Sequence, residues 1–274
     1  MGPIEEANVR RIIALDADDI ADAVALSTEA GWNQVAADWA MMLAQGKAFG
    51  IRDGGRLVAS GLALPHPPHF GWLSMVLVTG THRHRGLATA LLKHLLAYLD
   101  ERRLIPMLDA TAPGRAIYLP LGFKDVEPIS RWRGSGTGSG PSPAAEAVNI
   151  DSDRAAFGAD RSAILRNLLA RPLAFAHADA EGAFLLTRMG RTATQIGPIV
   201  AASAGQAVRL LEHAIISLAG PLLIDVPDRE TALRETLVRH GFTIERGFIR
   251  MALGRAEAFG DPARMRAIAG PELG

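Results

Sequence analysis

The chain has 274 residues, 49% hydrophobic and 21% charged, which supplies enough apolar side chains for packed cores and excludes a disordered chain. Basic and acidic residues balance at 29 each, so there is no charge excess to hold a polyanion, and neither nucleic acid nor a membrane surface is an expected partner. Cysteine is absent, which removes disulfides, thiolate metal sites and a cysteine nucleophile, and no metal is expected. No apolar run approaches the ~20 residues that cross a bilayer. The start, MGPIEEANVRR, has no apolar signal region, so the expected location is cytoplasmic.

The first half alternates helix and strand patterns. Val9–Leu15 reads as a strand, followed by a helix capped by Asp16, with Ile20, Ala23, Val24 and Leu26 on one face. Gln34–Gln45 is a second amphipathic helix. Strands follow at Ala48–Ile51, Arg56–Leu64 and Phe70–Val78, the first two joined by the turn Asp53-Gly54-Gly55. A long helix over Gly86–Arg103 lines up Leu87, Leu91, Leu92, Leu95 and Leu99. A strand at Pro106–Ala110 leads to a short helix, Arg115–Leu121, that stops at Gly122. Lys124–Val126 and Ile129–Trp132 read as two closing strands.

Gly134-Ser135-Gly136-Thr137-Gly138-Ser139-Gly140-Pro141-Ser142-Pro143 has no apolar residue to bury and reads as a flexible linker. It divides the chain into an N-terminal domain at 1–133, a Gly/Ser/Pro linker at 134–148 and a C-terminal domain at 149–274. The second half repeats much of the element order. Helices are expected at Asp160–Ala170, Gly205–Leu218 and Arg229–His240. Strands are expected at Leu173–Ala178, Gly182–Arg188, Thr192–Val200, Pro221–Val226, Thr243–Glu245 and Phe248–Leu253. Leu108-Asp109 matches Ile224-Asp225, Leu121-Gly122-Phe123 matches His240-Gly241-Phe242, and Met75-Val76-Leu77-Val78 matches Gly197-Pro198-Ile199-Val200. A repeat of about 120 residues is too long for a solenoid and reads as a duplicated α/β domain.

The segment that carries chemistry is Val76-Leu77-Val78-Thr79-Gly80-Thr81-His82-Arg83-His84-Arg85-Gly86-Leu87-Ala88-Thr89. A buried strand opens into a loop rich in donors and small residues, and a long helix follows. Gly86 and Ala88 let the backbone approach a ligand closely, and the first helical turn offers free N–H groups and the positive end of a dipole. Arg83 and Arg85 add charged donors, so the segment reads as a pyrophosphate cradle. It is not a Walker loop, which needs a Gly-Lys-Ser/Thr end. It is not a dinucleotide fingerprint either, because His84 stands where that spacing needs glycine.

The segment closely resembles the acyl-CoA loop of the GNAT N-acetyltransferases, Gln/Arg-x-x-Gly-x-Gly/Ala, whose fixed positions are filled by Arg83, Gly86 and Ala88. Ala116-Ile117-Tyr118-Leu119-Pro120-Leu121-Gly122-Phe123 matches the family's downstream region, and the resemblance covers nearly all of 9–133. His84, where glycine is common, is the one departure. The resemblance implies an α/β fold of two tandem GNAT-like domains, each a mostly antiparallel twisted sheet flanked by helices. It also implies acetyl-CoA as co-substrate. Val76, Leu77 and Val78 would pair with the pantetheine arm and supply an N–H to the thioester oxyanion. Arg83, His84, Arg85, Gly86, Leu87, Ala88 and Thr89 would hold the pyrophosphate. Tyr118 stands where the family places the phenol that protonates the leaving thiolate, or else it is a packed aromatic beside the sulfur. For the general base the candidates are His66, His69, Glu29 or a water chain, and none is singled out. In this fold the region between the first two helices walls the acceptor pocket. There Trp32, Asn33 and Asp38 are expected to offer an apolar face, hydrogen bonds and a charge for a small amine, unless they only cap and pack.

The second half has lost the cradle. Ala201-Ala202-Ser203-Ala204-Gly205-Gln206 contains no arginine, and no tyrosine precedes His240-Gly241-Phe242. This resembles tandem GNAT proteins with one active and one degenerate half, and in particular those with the segment Asp153-Arg154-Ala155-Ala156-Phe157-Gly158-Ala159-Asp160-Arg161. Asp153 and Asp160 either line the acceptor pocket or cap helices. The expectation is an acetyl-CoA-dependent N-acetyltransferase acting on a small amine by direct attack. The alternatives are an acyl-CoA sensing module without turnover and an acyl transfer in thiol-cofactor biosynthesis.

Overall fold

A computed structural model describes residues 11–140 and 148–274; the expected strand start at 9–10 and linker residues 141–147 lie outside the described residues. The chain divides into two units, Met1–Pro106 and Met107–Gly274. In the first, β1 (Ile12–Leu15) precedes α1 (Ile20–Glu29) and α2 (Ala36–Gln45). Next come β2 (Lys47–Asp53), β3 (Arg56–His66), β4 (Phe70–Val78) and α3 (Leu87–Asp100). The strands pair antiparallel in chain order. Asp16 caps the 3₁₀ turn Ala17–Asp19 that leads into α1, accepting from the Asp18 N–H at 2.9 Å. Gly54 and Gly55 supply the positive φ of the β2–β3 turn, 54° and 83°. The expected leucine stripe of α3 is buried to the last residue. α3 seats on the sheet through Gly61 and Gly71, where an added Cβ would strike Leu95 and Leu99.

The second unit continues β5 (Ile105–Ala110) and adds α4 (Ala112–Tyr118), β6 (Phe123–Thr137), α5 (Ile150–Phe157) and α6 (Ser162–Leu169). Then follow β7 (Ala176–Ala178), β8 (Phe184–Met189), β9 (Thr194–Val200), α7 (Ala204–Ser217) and β10 (Ala219–Pro227). The last elements are α8 (Thr231–Arg239), β11 (Thr243–Leu253) and β12 (Met265–Ala267). Its strand order is β5-β11-β6-β10-β9-β8-β7, with β12 on β9. All of these pairs are antiparallel except β10 with β9. Thus both units are mostly antiparallel sheets flanked by helices, the expected mixed α/β class. The core under α7 and α8 joins Leu211, Ile215, Leu233 and Leu237 to Ile196, Leu222 and Ile224.

The order hides an exchange. β5 pairs with β11 of the second half, while β6, which follows β5 in the chain, pairs with β10 and β11. With Gly122-Phe123 and Gly241-Phe242 taken as equivalent, Ile129 is the counterpart of Phe248, and these two face each other. Pro128 faces Ile249 and Ser130 faces Gly247, as a pseudo-twofold axis requires. The two halves have traded their last long strands, which is why residues 107–137 belong to the second unit.

The expected linker is partly sheet. Gly134 to Thr137 form the end of β6 and pair with Leu222 to Ala219. Gly138 N–H donates to the Leu218 carbonyl at 2.8 Å, and Gly140 N–H to that of Ile216 at 3.0 Å. Here the glycines serve close approach: a Cβ on Gly134 would enter the Phe242 ring, and one on Gly136 would meet the Leu218 carbonyl. Two other readings change. The two closing strands are one, since β6 runs through Pro128, whose carbonyl accepts from Asp228 N–H at 3.0 Å. The break expected near residues 246–247 is a bulge between Ile244 and Arg246.

Candidate functional site

Within the first unit the cradle is built as a strained, donor-rich turn. β4 carries a bulge: the register with β3 shifts between Ser60 and Leu62, and Met75 sits at φ 53°. Ser60 Oγ donates to the Met75 carbonyl at 2.9 Å and fixes the kink. The expected cofactor strand Val76, Leu77 and Val78 follows at once. Ser74, just before the bulge, is buried, and its hydroxyl has no hydrogen-bond partner among the described residues. The loop after Val78 turns twice through left-handed backbone, at His84 (φ 61°) and Gly86 (φ 78°). His84 therefore adopts the conformation that glycine would take there most easily. Open space surrounds the missing Cβ of Gly86. Leu87, Ala88 and Thr89 open α3, with only Leu87 buried. Arg83 and Arg85 are exposed and form no ion pair among the described residues. Among the described residues their hydrogen bonds go to the Val78 and Thr81 carbonyls. Two guanidinium groups and a helix N-terminus thus share one exposed turn, an arrangement that fits a pyrophosphate.

Side chains from neighbouring elements hold the loop. Glu29, at the end of α1, accepts from Thr79 Oγ1 at 2.7 and 2.8 Å and from Gly80 N–H at 2.7 Å. Those two donors, with smaller help from Arg56 and Arg83, hold its carboxyl below the ordinary range. A carboxylate so saturated is a poor proton acceptor, and in the structure Glu29 instead anchors the loop's first residues. Sequence reasoning named it only as a possible base. His82 adds a second tie, its ring meeting Thr81 Oγ1 and Asp53 Oδ2, each at 2.9 Å. His66 is buried against Phe70 at the hairpin end of β4, opposite the bulge, and His69 is exposed in that hairpin.

The expected acceptor wall lies between α1 and α2. Trp32 is half-buried, and its backbone N–H closes the turn onto the Ser27 carbonyl at 2.9 Å. Asn33 is buried. Asp38 is 1% exposed, and its Oδ2 accepts from Val35 N–H at 2.9 Å, so the carboxylate caps α2.

Tyr118 belongs to the second unit, at the end of α4. Thr111 caps this helix by accepting from Gly114 N–H at 3.3 Å. The phenol ring packs 5.6 Å from the Phe123 ring. Burial pushes its pKa from 10.0 up to about 12, so the hydroxyl stays protonated across neutral pH.

With the geometry in place, comparisons place the chain. Residues 17–123 match the acetyltransferase (GNAT) family model, and residues 150–263 match a second acetyltransferase (GNAT) domain model. The chain is a tandem GNAT protein. An uncharacterized N-acetyltransferase of Bacillus subtilis (strain 168), YitH, is 22% identical over 85% of this chain and 88% of its own. Among solved structures, a candidate acetyltransferase from Pyrococcus horikoshii superposes with a TM-score of 0.81 at 21% identity, covering 96% of this chain and 95% of that one. A tandem GNAT protein from the clavulanic acid biosynthesis pathway superposes with a TM-score of 0.58 at 15% identity, covering 88% and 97%. At these identities the structures speak for the fold.

In this tandem GNAT protein the second half differs at the places matched to the first half's cradle. β9 keeps the bulge, with Gly197 (φ 138°) at the position matched to Met75 and a register shift opposite Leu185 and Thr187. Beyond it, β9 pairs with β12, and Ile268 N–H donates to the Asp225 carbonyl of β10 at 3.0 Å. The chain's own residues 265–268 thus occupy the gap between these two strands. The N-terminus of α7 differs too. Ser203 and Gln206 form a capping box, and the Gln206 amide reaches the Asp179 and Glu181 carboxylates. Two carboxylates at that helix start repel an anion.

Within the Asp-Arg segment the buried pair is Asp153 with Arg161. Asp153 is 1% exposed inside α5 and binds Arg161 through two bonds of 2.9 Å, so it offers no open carboxylate to an acceptor. Arg161 also stacks over Phe157 at 4.0 Å and donates to the Leu273 and Gly274 carbonyls. Asp160 is exposed and accepts from the N–H of Ser162, the first residue of α6, at 2.8 Å. The helix α5 itself was missed, although Asn149 accepts from Ser152 N–H at its start and Gly158 (φ 88°) ends it.

Proposed function

We propose that this chain moves the acetyl group of acetyl-CoA to the amine of a small acceptor by direct attack on the thioester, in the cytoplasm. The observation that carries the reading is the cradle: Arg83 and Arg85, exposed and without an ion pair among the described residues, at the start of α3, beside the left-handed Gly86 and a bulged β4. The chain has no cysteine for an acyl-enzyme, so one tetrahedral step suffices. The neutral amine attacks the carbonyl carbon, the C–N bond forms, and a backbone N–H beside the bulge stabilises the oxyanion. The C–S bond then breaks. Tyr118 donates a hydrogen bond to the departing thiolate. With a phenol near 12 and a thiol near 8.5, complete transfer from Tyr118 runs uphill, so its contribution is a hydrogen bond held to the developing charge. The ammonium proton leaves through water.

Thiol release from acetyl-CoA, followed across a panel of polyamines, amino acids and arylalkylamines, tests this. At least one amine is expected to raise the rate above the amine-free level, with one acetyl-CoA bound per chain in a calorimetric titration. Binding without acceleration by any amine would make the protein an acyl-CoA sensor. Among the described residues no helix is long and apolar enough to cross a membrane.

A further inference from the structure

We propose that Arg250, in the second half, is a positioning residue for Tyr118 in the first: it fixes the strand that launches the tyrosine's helix. This rests on the reading of Tyr118 as donor to the leaving thiolate. Three observations carry it. First, β11 holds both ends of the α4 excursion. Before α4, Ile249 to Ala252 pair with Ala110 to Met107 of β5; after it, Leu253 pairs with Phe123, whose ring packs on Tyr118. Gly254 N–H donates to the Gly122 carbonyl at 3.0 Å, and α4 lies against β11. Second, Arg250 grips Asp109 with two bonds, Nε to Oδ1 at 2.9 Å and Nη2 to Oδ2 at 3.0 Å. The Asp109 side chain is fully buried, and the residue lies two before the Thr111 cap. A planar two-point bond fixes the strand's twist as well as its distance. Third, the pseudo-symmetric pair exists. Arg131 grips Asp225 with two bonds of 2.8 Å, but the helix after Asp225 carries Leu237 where α4 carries Tyr118. The same ion pair thus occurs once beside a tyrosine and once beside none.

That second pair is an internal control. Lysine in place of either arginine keeps the charge and loses the fork. The chain has two tyrosines, Tyr98 and Tyr118, so the full-length protein labelled with 3-fluorotyrosine shows two 19F resonances, assigned with Tyr118→Phe. Arg250→Lys is expected to move the Tyr118 resonance, and Arg131→Lys to leave it in place, although both lower the thermal midpoint. With the amine that the panel selects, Arg250→Lys should lower kcat about 10- to 100-fold, the scale of a displacement of roughly 1 Å, at nearly constant KM for acetyl-CoA. Should Arg250→Lys not fold, Asp109→Asn is read the same way. A Tyr118 resonance unmoved in Arg250→Lys, or moved equally by Arg131→Lys, would overturn the proposal. Parental turnover in Tyr118→Phe would instead sink the role given to the phenol, leaving the resonance test of positioning intact.

Discussion

Arg83 and Glu29 show how one turn separates charges that would otherwise cancel. Glu29 lies close enough for Arg83 to favour its ionised form, yet Thr79, Gly80 and Arg56 take up the carboxylate and leave the guanidinium exposed. Arg83→Glu should therefore weaken acetyl-CoA binding by about 1.5–3 kcal/mol, roughly 10- to 100-fold, whereas Ser203→Glu in the second half should leave it unchanged. Calorimetry on both variants reads this, and equal losses would put a second cofactor site in the chain. Tyr118 makes a pH prediction. Its folded-state pKa is raised, so the stability it contributes is whole below the unfolded value near 10 and is lost as pH rises through about 12. The thermal midpoint should fall less steeply between pH 10 and 12 in Tyr118→Phe than in the parent. In the same variant kcat should drop across pH 7–9 with acetyl-CoA affinity unchanged, and no alkaline limb from Tyr118 should appear in the parent below pH 10.

Elements held by local rules could be read from the sequence: the α3 stripe, the Asp16 cap, the Asp53-Gly54-Gly55 turn and the cradle's Arg83-x-x-Gly86 all depend on neighbours within a few residues. Elements whose reason lies far along the chain could not. Gly134 to Gly140 has the composition of a flexible linker, and only the approach of Phe242 and Leu218 from more than eighty residues away shows why those positions lack side chains. Arg131, Asp225, Asp109 and Arg250 each look like isolated charges until β6 and β11 change places. Asp153 likewise has the chemistry of an amine ligand, and its burial as the partner of Arg161 is a tertiary fact, whereas the Asp38 cap on Val35 is local and was within reach of the sequence. Gly136→Ala distinguishes a packed strand from a spacer. A flexible linker would accept the methyl group, and chain entropy alone would make the change neutral to stabilising. In the sheet it should cost about 1–3 kcal/mol or more by overpacking, read as a lowered midpoint in urea.

The exchanged strands also decide what the second half does for the whole molecule. A degenerate copy that sets its own residues 265–268 beside β9 still supplies, through β10 and β11, the pairing partners of β6 and β5. Residues 1–133 ended at the expected domain boundary would carry the complete cradle, but β6 would lose both neighbours and β5 would lose β11. Bare strand edges that are buried in the full chain invite pairing with another molecule. The fragment should therefore associate or unfold without a cooperative transition, while the full chain unfolds cooperatively. Size-exclusion chromatography and circular dichroism melts of the two compare them directly. A monomeric fragment with a sharp transition and the full chain's acetyl-CoA affinity would show that the first half completes its sheet alone. Failure of the fragment, rescued by adding residues 134–274 as a separate chain, would show that the two halves fold as one strand-exchanged pair whose linker is dispensable, as expected of a fusion of two copies that once exchanged strands as a dimer.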